Sequence, residues 1–238
     1  DDSDGSVAQV EFFVDDTSIG TDNTTPYEVI WSPPGFAEYT LKAVATDNEG
    51  NTNFTEISII VQDGITGEVV SQINSSNDDA EERISDGYVN LSSSDLELVD
   101  EYGTTPQEVG LRFTNIDIPA EATITSAYVQ FTVDELHSGN TSLSIQGQYH
   151  ENAPAFSSTT HDISNRVKTM ATTSWSPPSW SAGGAAGLDQ QTPDLSAVIQ
   201  EIIDHPNWVA NNAIALIITG MGQRTASSYD GSTSEAPT

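Results

Sequence analysis

The chain contains no cysteine, and that absence removes disulfides, thiolate nucleophiles and sulfur-ligated metals together. Basic residues are almost as scarce: six Lys and Arg stand against 36 Asp and Glu in 238 residues, a formal charge of −30. Such a surface repels nucleic acid and anionic membrane headgroups, which excludes a nucleic-acid partner. It suits a solvated protein in a salty medium, where screening is strong and carboxylates hold water. No run of 18 apolar residues occurs, so no helical membrane span is encoded. The chain opens at Asp1 with neither Met nor a signal-like segment, and is expected to be a piece of a longer protein with attached domains. The lack of disulfides does not argue against a secreted or surface location, since many bacterial surface proteins have none.

What is present is a succession of short strands. Val10, Phe12 and Val14 alternate with polar neighbours, as do Tyr39, Leu41, Ala43 and Ala45, then Ile57, Ile59 and Val61. Turn-rich TSIGTDNTTP, SPPGFAE and TDNEGNT separate them. This pattern predicts a small β-sandwich over 1–64, with Trp31 in the core between its sheets. Asp63-Gly64-Ile65-Thr66-Gly67 reads as a short joint. A larger all-β unit then spans 65–238, with candidate strands at 69–73, 88–91, 96–99, 109–113, 124–133, 143–149 and 213–219. Two packed sheets follow, in a jelly-roll sandwich.

One helix interrupts the pattern. Leu195, Val198, Ile199, Ile202 and Ile203 recur at helical spacing, with Thr192 as cap, Pro193 in the first turn and Pro206 beyond the end. A shorter helical turn is expected over 162–170, with Ile163, Val167 and Met170 inward. The chain approaches its end through Tyr229-Asp230-Gly231 without an evident final strand. The edge this leaves is a candidate acceptor for a neighbour's strand.

The stretch VEFFVDDTSIGTDNTTPYEVIWSPPGFAEYTLKAVATDNEGNT resembles bacterial immunoglobulin-like modules, which imply a spacer between working domains. Further along, VGLRFTNIDIPAEATITSAYVQFTVDE, the helix TPDLSAVIQEIIDHPNW, then NAIALIITG and RTASSYDG are similar to jelly-roll carbohydrate-binding modules of polysaccharide-degrading enzymes. The nearest type is the alginate-binding, DNRLRE-like module, although that literal string is absent and Val109-Gly110-Leu111-Arg112-Phe113 stands in the comparable strand. The expected fold class is therefore all-β: an immunoglobulin-like β-sandwich followed by a larger jelly-roll β-sandwich with one inserted amphipathic helix.

The most concentrated chemistry lies in Ser75-Ser76-Asn77-Asp78-Asp79-Ala80-Glu81-Glu82-Arg83. Calcium takes six to eight oxygen ligands, and clustered acids on a loop meet that demand. Asp78, Asp79, Glu81 and Glu82 are candidate Ca2+ ligands, with Asp95, Glu97 and Asp100 as a second arm; a solvated acidic loop is the alternative. The resemblance also implies a structural calcium near the first strand of the module. His137, His150, His161 and His205 show no zinc-site spacing. For sugar binding, Trp175 and Trp180 sit on the Pro-stiffened loop SWSPPSWS and are candidate stacking residues, whereas Trp208 reads as structural. Arg224, Tyr229 and Asp230 are further candidates, because an Arg grips a uronate or sulfate through paired donors. Catalysis is not supported: no nucleophile elbow or nucleotide loop occurs, and Asp134 and Glu135, adjacent on a strand, should point to opposite faces. Two functions remain open. One is a non-catalytic, calcium-stabilised polysaccharide-binding module, for which acidic glycans are among the candidates. The other is a structural repeat of an adhesin or filament that assembles by strand addition.

Overall fold

The computed structural model describes residues 5–35, 37–61 and 67–238, and divides into two units, Asp1–Thr66 and Gly67–Thr238. In the first, β1 (Val7–Val14), β2 (Thr17–Asp22), β3 (Ala37–Asp47) and β4 (Thr52–Val61) form an antiparallel sheet in the order β2-β1-β3-β4. The β1–β2 hairpin closes through two residues, Asp15 and Asp16, both at positive φ (46° and 63°). That backbone matches the right-handed twist of the flanking strands, and Asp is one of the few non-glycine residues that tolerates it. Asp47 closes the β3–β4 turn by accepting the N–H groups of Glu49 and Asn51. Trp31 is only half-buried and meets the buried Tyr39 ring edge-on at 5.0 Å. The expected joint at 63–67 lies largely outside the described residues.

The second unit is a sandwich of two unequal antiparallel sheets. The larger runs β12 (Thr173–Trp175), β11 (Ser142–Gly147), β13 (Asn212–Met221), β9 (Thr105–Ile116), β5 (Asp79–Arg83), β6 (Val89–Asn90), and β8 (Asp100–Glu101) also pairs with β9. The smaller runs β10 (Val133–Glu135), β14 (Thr225–Ser227), β7 (Asp95–Glu97). Alternating Val109, Leu111 and Phe113 of β9, Leu143 and Ile145 of β11, and Leu216 and Ile218 of β13 face Leu96 and Ala226 across the main core. β13 departs from alternation because both of its faces are covered: Ala215 and Ile217 point into a second apolar cluster with Phe156, Ile163, Ala153 and Ala80. The excursion between β11 and β12 thus lines the outer face of the larger sheet. Phe156 lies directly on Gly110, where an added Cβ would stand 2.4 Å from the ring.

Several elements depart from the sequence expectation. The alternation at 127–133 is real, with Val129, Phe131 and Val133 buried, yet only 133–135 forms a ladder strand. Earlier N–H groups go instead to Asp194 Oδ1, Thr192 Oγ1 and the Gln190 carbonyl. Thr192 is therefore engaged, and helix α1 (Ser196–Ile203) starts later, with Asp194 accepting both the N–H and the hydroxyl of Ser196. Of the three residues expected inward over 162–170, only Ile163 is buried; Val167 and Met170 are 68% and 90% exposed. The chain's last residues pair inward, Ile73 donating to Pro237 and Gln130 exchanging both hydrogen bonds with Thr238.

Candidate functional site

The acidic stretch is not a solvated loop. It forms β5, which carries acids on both faces, and Asp78, Asp79, Glu81 and Glu82 are all buried. Asp78 pairs with the Arg112 guanidinium. Asp79 accepts the Tyr229 N–H at 2.8 Å, and burial raises its carboxyl to about 6. Glu82, on the outer face, accepts the Ile163 and Ser164 N–H groups at 2.7 and 3.0 Å, with His161 beside it. Glu81 accepts the Glu97 N–H and the Gln107 amide, and burial, then the Glu97 carboxyl, push it well above the usual range. Internal donors hold these oxygens at separate points of the scaffold. Asp78, Asp79 and Glu82 therefore do not converge on one cation as the sequence reading expected. Asp100 likewise accepts the Thr105 N–H.

Convergence occurs instead across the smaller sheet. Asp95 of β7 meets Asp134 and Glu135 of β10, one oxygen from each lying within 4.8 Å of the others. An irregularity in the β10–β14 register between Val133 and Glu135 lets two adjacent acids share a side. That bulge is what the simple alternation argument missed. Burial, then the Glu97 and Asp134 charges, raise Asp95 to about 6; burial, then Glu135 and Glu235, raise Asp134. Oxygens on opposite sides of a Ca2+ stand about 5 Å apart at ordinary bond lengths, so this donor set fits a hard divalent ion. Of the expected ligands, Asp95 belongs to this cluster, and Glu97 and Glu81 lie behind it, buried and engaged with Gln107.

The expected sugar contacts also move inward. Trp175 and Trp180 are 5% and 1% exposed; Trp175 stacks on Phe131 at 5.7 Å, and Trp180 donates its indole N–H to the Asp189 carbonyl. Strand β12 and a bridge from Trp180 to His137 turn both rings into the core. Trp208 is buried too, its indole N–H on the Ile118 carbonyl. Arg224 is 1% exposed and hydrogen-bonds the carbonyls of Gly139, Pro177, Pro178 and Gln223 and the Thr141 hydroxyl. It staples three segments, with its donors spent on the scaffold. Tyr229 is half-buried against the core, and exposed Asp230 accepts the Ser76 hydroxyl.

A different surface offers recognition chemistry. An open trough of about 710 Å³ runs along α1. The Tyr149 ring, 38% exposed, lies in one wall, and Ala197, Gln200, Glu201 and Asp204 form the other. These helix positions recur at i, i+3, i+4 and i+7, the polar complement of the buried stripe. The same periodicity could have revealed them in the sequence, whereas nothing there singled out Tyr149. Glu201 is held by the N–H groups of Met170 and Ala171, each to a separate oxygen. Gln200 spans the Ala122 carbonyl and Asp204 Oδ1. Lys168 enters from the opposite side, 3.5 Å from Glu108 and bonded to the Ser164 carbonyl. Tyr149 in turn packs on His205 at 4.9 Å. The donors and acceptors are thus pre-oriented around an aromatic ring.

No curated protein matches the chain. Among solved structures, one described as giving the structural basis for the promiscuous specificity of carbohydrate-binding modules from the β-sandwich superfamily is 13% identical. That match covers 94% of this chain and 84% of the other, with a TM-score of 0.28, and sets no residue correspondence. Among the described residues, no helix is long and apolar enough to cross a membrane. Residues 1–55 match the family of bacterial Ig domains, so the first unit is an immunoglobulin-like module.

Proposed function

We propose that the second unit is a non-catalytic polysaccharide-binding module of an extracellular bacterial protein, with the first unit as its spacer. The observation that carries this reading is the trough beside α1. An exposed Tyr149 ring offers a face for pyranose C–H groups, pre-oriented amide and carboxylate groups of α1 stand across from it, and the Lys168 ammonium lies on its own side. Its polar groups are held by backbone and side-chain partners, an arrangement suited to orienting hydroxyls rather than transferring protons. An open trough accommodates a chain passing through. Binding of this kind raises the local concentration of an attached partner on its glycan. The bacterial Ig match over residues 1–55 supports the extracellular setting. Affinity electrophoresis against a panel of polysaccharides tests the reading: Tyr149→Ala is expected to abolish retention with little change in melting temperature. Unaltered retention in that variant refutes the trough as the site.

Calcium belongs to the same proposal. Asp95, Asp134 and Glu135 would hold the ion, which would tie β7 to β10 across β14 and stiffen the smaller sheet. Calcium is expected to raise the melting temperature and EDTA to reverse it, with no response in the double variant Asp134→Asn, Glu135→Gln. An equal response in that variant places the ion elsewhere.

A further inference from the structure

We infer that the trough selects uncharged glycans and rejects uronate and sulfated ones, a specificity that rests on the trough being the sugar site. Acidic polysaccharides are gripped by Arg or Lys side chains with donors to offer. The second unit has five such residues, and each is engaged by the scaffold. Arg112 pairs with Asp78 and the Ala153 carbonyl. Arg166 lies over the Phe156 ring at 4.1 Å and bonds Asp162, Gln148 and the Pro154 and Ala155 carbonyls. All of the Arg224 donors are engaged by four carbonyls and Thr141. Arg83 is tied to Asp86 and lies on the Tyr88 ring. Only Lys168 reaches the trough, and Glu108 stands 3.5 Å from its ammonium.

Facing that one compensated cation are Glu201 and Asp204, neither with a cationic partner among the described residues. A uronate or sulfate laid against Tyr149 would meet two carboxylates, in the field of a chain carrying a formal charge of −30. Neutral hydroxyls meet the same carboxylates as hydrogen-bond acceptors. Like charges about 5 Å apart in water disfavour association by several-fold each, giving a preference of about tenfold at low salt that narrows as salt rises.

The test is affinity electrophoresis of the full chain in EDTA, which removes cation bridging, at low and at high salt. The gels carry neutral polymers (xylan, mannan, mixed-linkage glucan) or polyanions (alginate, polygalacturonate, carrageenan). Retention by a neutral polymer, insensitive to salt and lost in Tyr149→Ala, is the expected result. Salt-sensitive retention by a polyanion, also lost in Tyr149→Ala, overturns the specificity while leaving the trough as the site. Retention by no polymer overturns both. Met170→Lys places a cation at the rim on a side chain that is 90% exposed, and is expected to gain retention on polyanions. If that variant still ignores polyanions while binding a neutral polymer, charge does not set the choice.

Discussion

Replacing Asp79 with Asn removes a charge from a position that does little to compensate it. The carboxyl is 3% exposed, receives one backbone N–H from Tyr229, and has the Asp230 and Asp78 carboxylates nearby. Burial above all, with those like charges, lifts its pKa from 3.8 to about 6. At about 1.36 kcal/mol per unit this corresponds to about 3 kcal/mol. An acid whose pKa is raised by folding stabilises the fold in its protonated form. That contribution is fully present below 3.8 and is lost as pH rises through about 6. Above neutrality the wild type therefore carries the whole penalty. The carbonyl of the substituted side chain would still accept the Tyr229 N–H, while its new amide protons return about 1–2 kcal/mol of the gain. Asp79→Asn is expected to raise the melting temperature of the second unit by about 2–8 °C at about pH 8. The advantage should vanish, or reverse slightly, by about pH 4, where Asp79 is itself protonated. Calorimetry in EDTA across that range reads both effects. A variant melting no higher than wild type at the alkaline end, or an advantage that persists at the acid end, refutes the argument.

Three further outcomes follow from the same packing. Trp180→Ala is expected to cost about 3–5 kcal/mol in urea denaturation, because the ring is 1% exposed in the core; a cost under about 1 kcal/mol would return the indole to the surface. Arg112→Met should lose about 3–5 kcal/mol by stranding Asp78, and adding Asp78→Asn should restore most of it; additive losses in that cycle would deny the pair. Gly110→Ala should cost about 1–3 kcal/mol because its Cβ meets Phe156, and Phe156→Leu should lessen the added cost; equal costs in both backgrounds would deny the contact.

The sequence made the strand alternation of β9, β11 and 127–133 legible because burial on one face leaves a period of two. The apolar stripe of α1 was equally plain. Long-range partners were not legible. Whether Asp79 faces water or the Tyr229 amide depends on a residue 150 positions away, and whether Trp175 stacks on sugar or on Phe131 depends on how β12 joins β11. The density of acids in 78–86 suggested a cation loop, yet a strand buried on both faces answered the same density with a guanidinium and backbone N–H groups. Asp134 and Glu135 were visible but set aside, because a register irregularity leaves no local mark in a sequence. The scarcity of Lys and Arg, by contrast, carried through to the trough intact.

Strand β13 lies between two apolar layers, with Ala213 through Ile218 all buried, and between two ladders, β11 and β9. Covered on both faces and paired on both edges, the amides of Ala213 through Ile218 are expected to trade hydrogen for deuterium only when the whole second unit opens. Their exchange rate is then a thermometer of global stability. It can be read at native conditions without denaturant, alongside any change made at the rim.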